Sequence, residues 1–414
     1  MTWELPMTLG LSLGLATFVL LAMHPFVTYP LSLRILAGLR HAQEDKCQAA
    51  PIDLTRELRP KVAICLCAFN EAAVIVDKLE SLLLVAETYG PASIHVYSDG
   101  SDDKTALLLE QFRDRVDIVI SNERLGKTHG MKVLLERSTS DLVMFTDANV
   151  TMDNDALLKL ARPFADPHCG CSTAKLRYVN RDEGATALAG AIYWSIEEFV
   201  KGIESACGFI MGVDGASFLI RRSLYHAPPD DLIDDLYVTL RVLIDGKRVM
   251  RADGLVVEER GSTNAKEEYQ RKVRIACQAI RVHRALWPQL RQLPGLLVYA
   301  YISHRWMKWM LPYFALGAAS CLLALFALFT TPAIAAAGAA SVAILLVAGA
   351  FLSIPGLSMI SSSLIALAGV ARGVALAYAS DRAFTTWMPA NSVRAASDAQ
   401  PRNRSGRSDQ SVNS

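Results

Sequence analysis

The sequence predicts an α/β domain, a mostly parallel sheet with helices on both faces, flanked by membrane-crossing helices. Three observations carry that reading. Between residues 60 and 150, short unbroken apolar runs alternate with helical patterns, as strands buried on both faces of a parallel sheet do. Acidic residues stand where those runs stop: Asp99 closes SIHVYSDG and Asp147 follows DLVMFT. Apolar residues make up 52% of the 414, and their excess is gathered at the two ends of the chain.

Taken in order, 62–67 (VAICLC) is the first strand, ending at Ala68-Phe69-Asn70-Glu71 before a helical stretch to about residue 87. Residues 93–97, 116–120 and 142–145 are the next three strands, and Gly126-Lys127 opens the helix between the last two. Ligands of such sheets sit outside the carboxyl ends of the strands. Asn70, Glu71, Asp99, Asp102, Asp103, Asp147 and Asn149 all fall there.

The ends of the chain read as membrane segments. Residues 8–29 carry no Asp, Glu, Lys or Arg and are long enough to span a bilayer core. The preceding MTWELPM lacks a base, which argues for an uncleaved span over a secretory signal. Two further spans are expected over 311–330 and 333–355, entered through HRWMKWM (304–310), whose bases and tryptophans suit an interfacial belt. Residues 356–380 are apolar but interrupted by serines, glycines and Arg372. An amphipathic helix on the membrane face is preferred there, with a further span as the alternative. Arg34, Arg40 and Lys46 follow the first span, and Arg394, Arg402, Arg404 and Arg407 lie in the tail. The positive-inside rule therefore puts the central domain and the tail in the cytoplasm of a multi-pass inner-membrane protein. The expected division is a membrane helix (1–30), a cytoplasmic linker (31–59), the α/β domain (60–295), an interfacial helix with two or three spans (296–380), and a largely disordered tail (381–414).

A net charge of +1 speaks against a nucleic-acid partner. The eight cysteines show no C-x-x-C spacing and read as reduced structural thiols of a cytosolic domain. Gly126-Lys127-Thr128 suggests a phosphate-binding loop, but position 121 is Ser and the G-x-x-x-x-G-K-[ST] pattern fails; no G-x-G-x-x-G follows the first strand. A nucleotide must then be held by carboxylates and a metal.

The ordered series FNE (69–71), SDGSDD (98–103), GK (126–127), TDAN (146–149), GVDGASFLIRR (212–222), DD (234–235) and RKVRI (271–275) resembles the membrane-bound family 2 glycosyltransferases of the GT-A fold. That family includes hyaluronan, chitin, cellulose and poly-N-acetylglucosamine synthases and exopolysaccharide glycosyltransferases. The resemblance covers about residues 60–280 and the flanking spans. It implies that Asp99 binds the uracil of a UDP-sugar, with Ala68 and Glu71 lining that pocket and Lys127 near the diphosphate. Asp147 takes the first place of the metal-binding DxD signature. Asn149 replaces its second acid, leaving Mg2+ or Mn2+ to be held through one carboxylate, diphosphate oxygens and water. Asp235 is the implied base, Asp234 a cap of the following helix, and Arg271 and Arg274 stabilise the departing diphosphate. Asp230-Asp231 is a second pair nearby; the helical repeat after Asp235 favours the later one. Residues 212–222 form the acceptor side of the pocket, with Asp214 a sugar contact, or else a helix–turn packing unit. The family's Trp is Ile275 here, and Trp387 resembles a family segment without an assigned role.

The resulting expectation is inverting transfer of a sugar from a UDP-sugar to a growing polysaccharide or lipid-linked saccharide, at the cytoplasmic face of a lipid membrane. Processive synthesis and single-sugar transfer both stay open, and a secretion partner or homo-oligomer would be needed for a channel. The alternative is a catalytically inactive membrane protein that senses nucleotide.

Overall fold

The computed structural model describes residues 4–44, 59–380, 384–386 and 392. Seven strands, β1 (Val62–Ala68), β2 (Ala92–Asp99), β3 (Asp117–Ser121), β4 (Leu142–Thr146), β5 (Cys169–Tyr178), β6 (Ser217–Arg221) and β7 (Arg248–Glu259), form one sheet in the order β3-β2-β1-β4-β6-β5-β7. The four expected strands pair in parallel as β3-β2-β1-β4. Chain order reverses around β1, which opens the usual ligand crevice at the carboxyl ends of β1, β2 and β4.

Every residue of β1 and β4 is buried, because helices cover both faces. Val62, Ile64 and Leu66 pack with Ile75, Leu79 and Leu82 of α3 (Ile75–Tyr89). Ala63, Cys65 and Cys67 point the other way, into a core with Met131 and Leu134. Short helices α4 (Thr105–Leu109), α5 (Lys127–Arg137) and α6 (Ala156–Ala161) complete the parallel half.

The 212–222 segment ends in a strand, β6, antiparallel to β4 and β5. Its side chains alternate between cores: Phe218 and Ile220 join one, Leu219 the other. Period-two burial of that kind makes a strand, so the helix–turn alternative does not hold. Helices α7 (Ala185–Ala206), α8 (Asp234–Ile244) and α9 (Ala265–Leu290) close the domain.

Helix α1 (Glu4–Met23) is followed by α2 (Thr28–Glu44). After the domain come α10 (Gly295–Ala300), a π-helical turn (Tyr301–Trp306), α11 (Met307–Phe329), α12 (Pro332–Phe351) and α13 (Pro355–Ala379). Among the described residues, four helical stretches have the length and apolar composition to cross a bilayer: Leu5–Met23, Gly295–Phe329, Pro332–Phe351 and Pro355–Ala379. The first packs on the second, with Phe18 against Gly317 and Gly14 against Cys321. Residues 356–380, expected to lie on the membrane face, thus qualify by length as a span. The later half of α13 nevertheless lies along α9, with Gly369 and Gly373 against the Tyr269 and Val273 carbonyls and Arg284 donating to the Ala377 carbonyl at 2.8 Å.

The HRWMKWM stretch departs from the expected belt. His304 is fully buried, and Arg305 and Lys308 turn inward to Glu197 of α7. A carboxylate buried on a neighbouring helix draws the bases away from a lipid interface. Trp387 and the tail from 393 onward lie outside the described residues.

Candidate active site

The loops after β1 and β2 are tied to each other first. Asn70 sits in the left-handed region (φ 53°), donates from Nδ2 to Asp102 at 2.6 Å and accepts the Asp102 N–H at 3.0 Å. The Ala72 N–H is received by Asp103, and the Glu71 N–H by the Thr105 hydroxyl. Glu71 is buried and lines the cleft.

Asp99 is placed differently from the expectation. Its carboxylate is fully buried and accepts the Leu125 N–H at 2.8 Å and the Gly126 N–H at 3.0 Å. Both oxygens therefore serve the backbone immediately before Lys127. Ala68, at the end of β1, is likewise fully covered, and neither residue lines the open cleft. Gly126 takes φ +98°, and a Cβ there would come within 2.1 Å of the Thr385 carbonyl oxygen. Only glycine fits that turn.

The 99–126 bracing aims Lys127 across the cleft. Its Nζ lies 2.8 Å from Asp147 Oδ1 and 3.4 Å from Asp234 Oδ2. Burial works against its charge, but these two carboxylates outweigh it and hold the ammonium protonated. Beneath Asp147 runs a cation the sequence reading missed. Lys78 of α3, 4% exposed, donates to the Thr146 hydroxyl at 3.1 Å and the Val150 carbonyl at 2.8 Å. Burial pulls its pKa down to about 7. The signal was its place on the buried face of α3, next to Leu79 and one turn before Leu82.

Asp234 and Asp235 form the first turn of α8, where carboxylates suit the helix dipole. Asp234 makes no side-chain cap, contrary to expectation; the N-cap position is Ile233 and Asp234 faces Lys127 instead. The Asp235 carboxylate accepts backbone N–H groups, Gly215 at 3.2 Å and its following Leu236 at 2.5 Å. No cation lies within ion-pair distance of it among the described residues. Removal from water, then the neighbouring Asp234 charge, push its pKa up to about 7, with Lys127 opposing.

Gly215 explains why these groups can share a ligand. A Cβ at that position would lie 3.2 Å from Lys127 Nζ, 3.5 Å from Asp235 Oδ2 and 3.9 Å from Asp147 Oδ2. The space where a side chain would stand is thus bounded by one cation and two carboxylates, and glycine leaves it open.

Arg271 and Arg274, one turn apart on α9, part company. Arg271 donates to the Tyr178 hydroxyl at 3.3 Å and pairs with Glu268 at 3.3 Å. Arg274 donates to Gln278 and stands in the field of Asp234, Asp235 and Asp147, burial lowering its pKa. Asn149 donates its amide to Glu259, whose pKa burial pushes up to about 7. Asp214, nearly buried, is held by Lys201 at 2.7 Å. Lys127, Asp147, Asn149, Asp214, Asp234, Asp235, Glu259, Arg271 and Arg274 line a cleft of about 550 Å³ together with Tyr193, Trp194, Arg305 and Trp309.

The residues present fit a divalent cation at Asp147. Asp147 keeps Oδ2 toward the open space while Oδ1 holds Lys127. No group of three acidic, His or Cys side chains makes a protein cage among the described residues. One carboxylate plus donor phosphates and water is the usual arrangement for Mg2+ or Mn2+ at such sites.

A mostly parallel sheet whose strand-end carboxylates face a cleft of this shape defines the GT-A class. A mannosyltransferase from Pyrobaculum calidifontis, solved with GDP-Man and Mn2+, shares the fold: its TM-score is 0.65 at 19% identity, covering 87% of this chain and 98% of that one. Residues 63–227 match the glycosyl transferase family 2 model. Curated relatives include an N-acetylglucosaminyltransferase of Rhizobium meliloti, 26% identical over 61% of this chain and 62% of its own length. A poly-beta-1,6-N-acetyl-D-glucosamine synthase of Staphylococcus aureus is 25% identical over 45% and 47%. The chain spans about half the length of the curated relatives it matches.

Proposed function

We propose that the protein is an inverting glycosyltransferase that moves a sugar from a UDP-sugar to a saccharide acceptor at the cytoplasmic face of the membrane. UDP-N-acetylglucosamine is the first donor to test, given what the relatives are named for. The observation that carries the reading is the open space at Gly215, bounded by Lys127, Asp147 and Asp235, with Arg274 in the field of the same acids.

In this reading Glu71 and the 125–126 turn, braced by Asp99, hold the nucleotide end. Lys127 takes the diphosphate as a point charge. A divalent cation on Asp147 supplies neutralisation of the leaving diphosphate when bound. Asp235 takes the acceptor hydroxyl's proton as that oxygen bonds to the anomeric carbon, while the bond to UDP breaks on the opposite face. A carboxylate raised to about 7 is a stronger base than an ordinary one and is still ionised in part at neutral pH. Arg274 offsets charge on the departing UDP. The acceptor is a polysaccharide or lipid-linked saccharide, because Arg305 and Trp309 bring a membrane-length helix to the cleft wall.

The test is release of the nucleoside diphosphate (UDP or GDP) by membrane-embedded protein given UDP-N-acetylglucosamine, UDP-glucose and GDP-mannose separately, with product length read alongside. UDP release with UDP-N-acetylglucosamine that depends on acceptor supports the reading. Binding of donor without release under any condition counts against it.

A further inference from the structure

The cleft loop 211–215 is gripped from the membrane side by charges that the proposed transfer does not use. Arg305, on the π-helical turn that leads into α11, donates from Nε to the Met211 carbonyl at 3.0 Å and from Nη2 to the Gly212 carbonyl at 2.8 Å. Its remaining nitrogen donates to Glu197 at 3.1 Å. Gly212 makes the approach possible, since a Cβ there would stand 2.3 Å from Arg305 Nη2.

Three of the loop's backbone N–H groups are also engaged. Glu204 accepts the Met211 N–H at 3.1 Å and is itself fully buried between the Tyr29 hydroxyl and His304, each at 2.6 Å. The Thr239 hydroxyl accepts the Val213 N–H at 3.1 Å and donates to the Asp235 carbonyl at 2.6 Å. The loop ends on the Gly215 N–H, which binds the Asp235 carboxylate. The backbone of loop 211–215 is therefore bonded at one end to the base of α11 and at the other to Asp235, and a planar guanidinium is the group suited to hold two carbonyls and a carboxylate at once.

We propose that Arg305 is a positioning residue for Asp235, fixing loop 211–215 so that the Gly215 N–H orients the carboxylate toward the acceptor. This rests on the transfer reading above. The role is orientation of one carboxylate, not donor binding: the 125–126 turn that precedes Lys127 is braced separately, by Asp99.

The test uses the full-length protein in membranes. R305K keeps the charge beside Glu197 but lacks the three separate nitrogens that reach both carbonyls and the carboxylate. It should lower kcat at least tenfold, with donor KM and UDP affinity within about twofold of wild type. T239V, which breaks the loop's bond to α8, should reproduce that split, and T239S should restore wild-type kcat. If R305K fails to fold, T239V and T239S decide alone. A kcat within twofold of wild type in T239V, or a UDP affinity that falls in parallel with kcat, overturns the assignment. A wild-type protein that binds UDP yet never releases it from a donor overturns the transfer reading, and this one with it.

Discussion

Replacing Asp235 by asparagine separates chemistry from stability. The folded-state pKa is raised from 3.8 to about 7, about three pH steps worth about 1.4 kcal/mol each, so the ionised carboxylate costs the fold on the order of 4 kcal/mol. Asparagine keeps one acceptor for the Gly215 N–H and loses one hydrogen bond, worth about 1 kcal/mol. The net gain is on the order of 2–3 kcal/mol. The sign follows from linkage. Because the folded pKa lies above the unfolded one, wild type is most stable below about pH 4, where both forms are protonated. It loses stability as pH rises toward 7, through the window in which only the unfolded chain ionises. D235N does not titrate, so its advantage should be near zero at pH 4 and fully developed by pH 8. For a domain of this size that corresponds to a Tm higher by about 5–10 °C at pH 8. UDP binding should survive and sugar transfer should fall at least 10²-fold. Asp234, Lys127, Asp214 and Arg274 face the same group, so melts at fixed ionic strength from pH 5 to 8 are the proper assay. A Tm difference that is constant with pH, or that shrinks as pH rises, would falsify the burial argument. Near-wild-type transfer by D235N would remove Asp235 as the base.

Three further outcomes are expected. D99N, with its oxygen on the Leu125 side, places an amide N–H₂ against the Gly126 N–H, so it should lower stability by about 1–3 kcal/mol along with UDP affinity; lost UDP affinity at unchanged Tm would instead mean that Asp99 touches the base itself. R274K should cut kcat about 10²-fold at nearly constant donor KM, whereas R271K, which disturbs Tyr178 and Glu268, should act mainly on Tm. Chelation should abolish transfer, Mn2+ or Mg2+ should restore it, and D147N should remove that response; transfer that persists after exhaustive chelation sinks the metal reading.

The parallel half of the sheet could be read directly because its strands are covered on both faces. Unbroken apolar runs such as VAICLC admit few other solutions, and their ends locate Asp147 and Glu71 at the cleft. The use of Asp99 was not legible. Asp-Gly at a strand end looks the same whether the carboxylate meets a ligand or a backbone N–H, and what decides is the 125–126 turn, 26 residues later. Strand β6 was obscured for a related reason: FLI is too short an apolar run to show a period. Arg305 and Lys308 were misread as an interfacial belt because their partner Glu197 lies more than 100 residues earlier.

That last case carries a usable lesson about α7. Glu197, Glu198, Lys201 and Glu204 stand within two turns of a helix that is otherwise mostly apolar, and all four are buried. Charged residues are almost never fully buried without partners, so such a cluster demands opposite charges from elsewhere in the chain. Arg251, Arg305 and Lys308 supply the cations, and Asp214 is the acid that Lys201 in turn satisfies. The same accounting singles out Asp235. Asp147 and Asp234 each face Lys127 and Asp214 faces Lys201, while Asp235 receives only backbone N–H groups. Burial without an ion-pair partner raises the basicity of Asp235, and it stands across the Gly215 opening from Lys127 and Asp147.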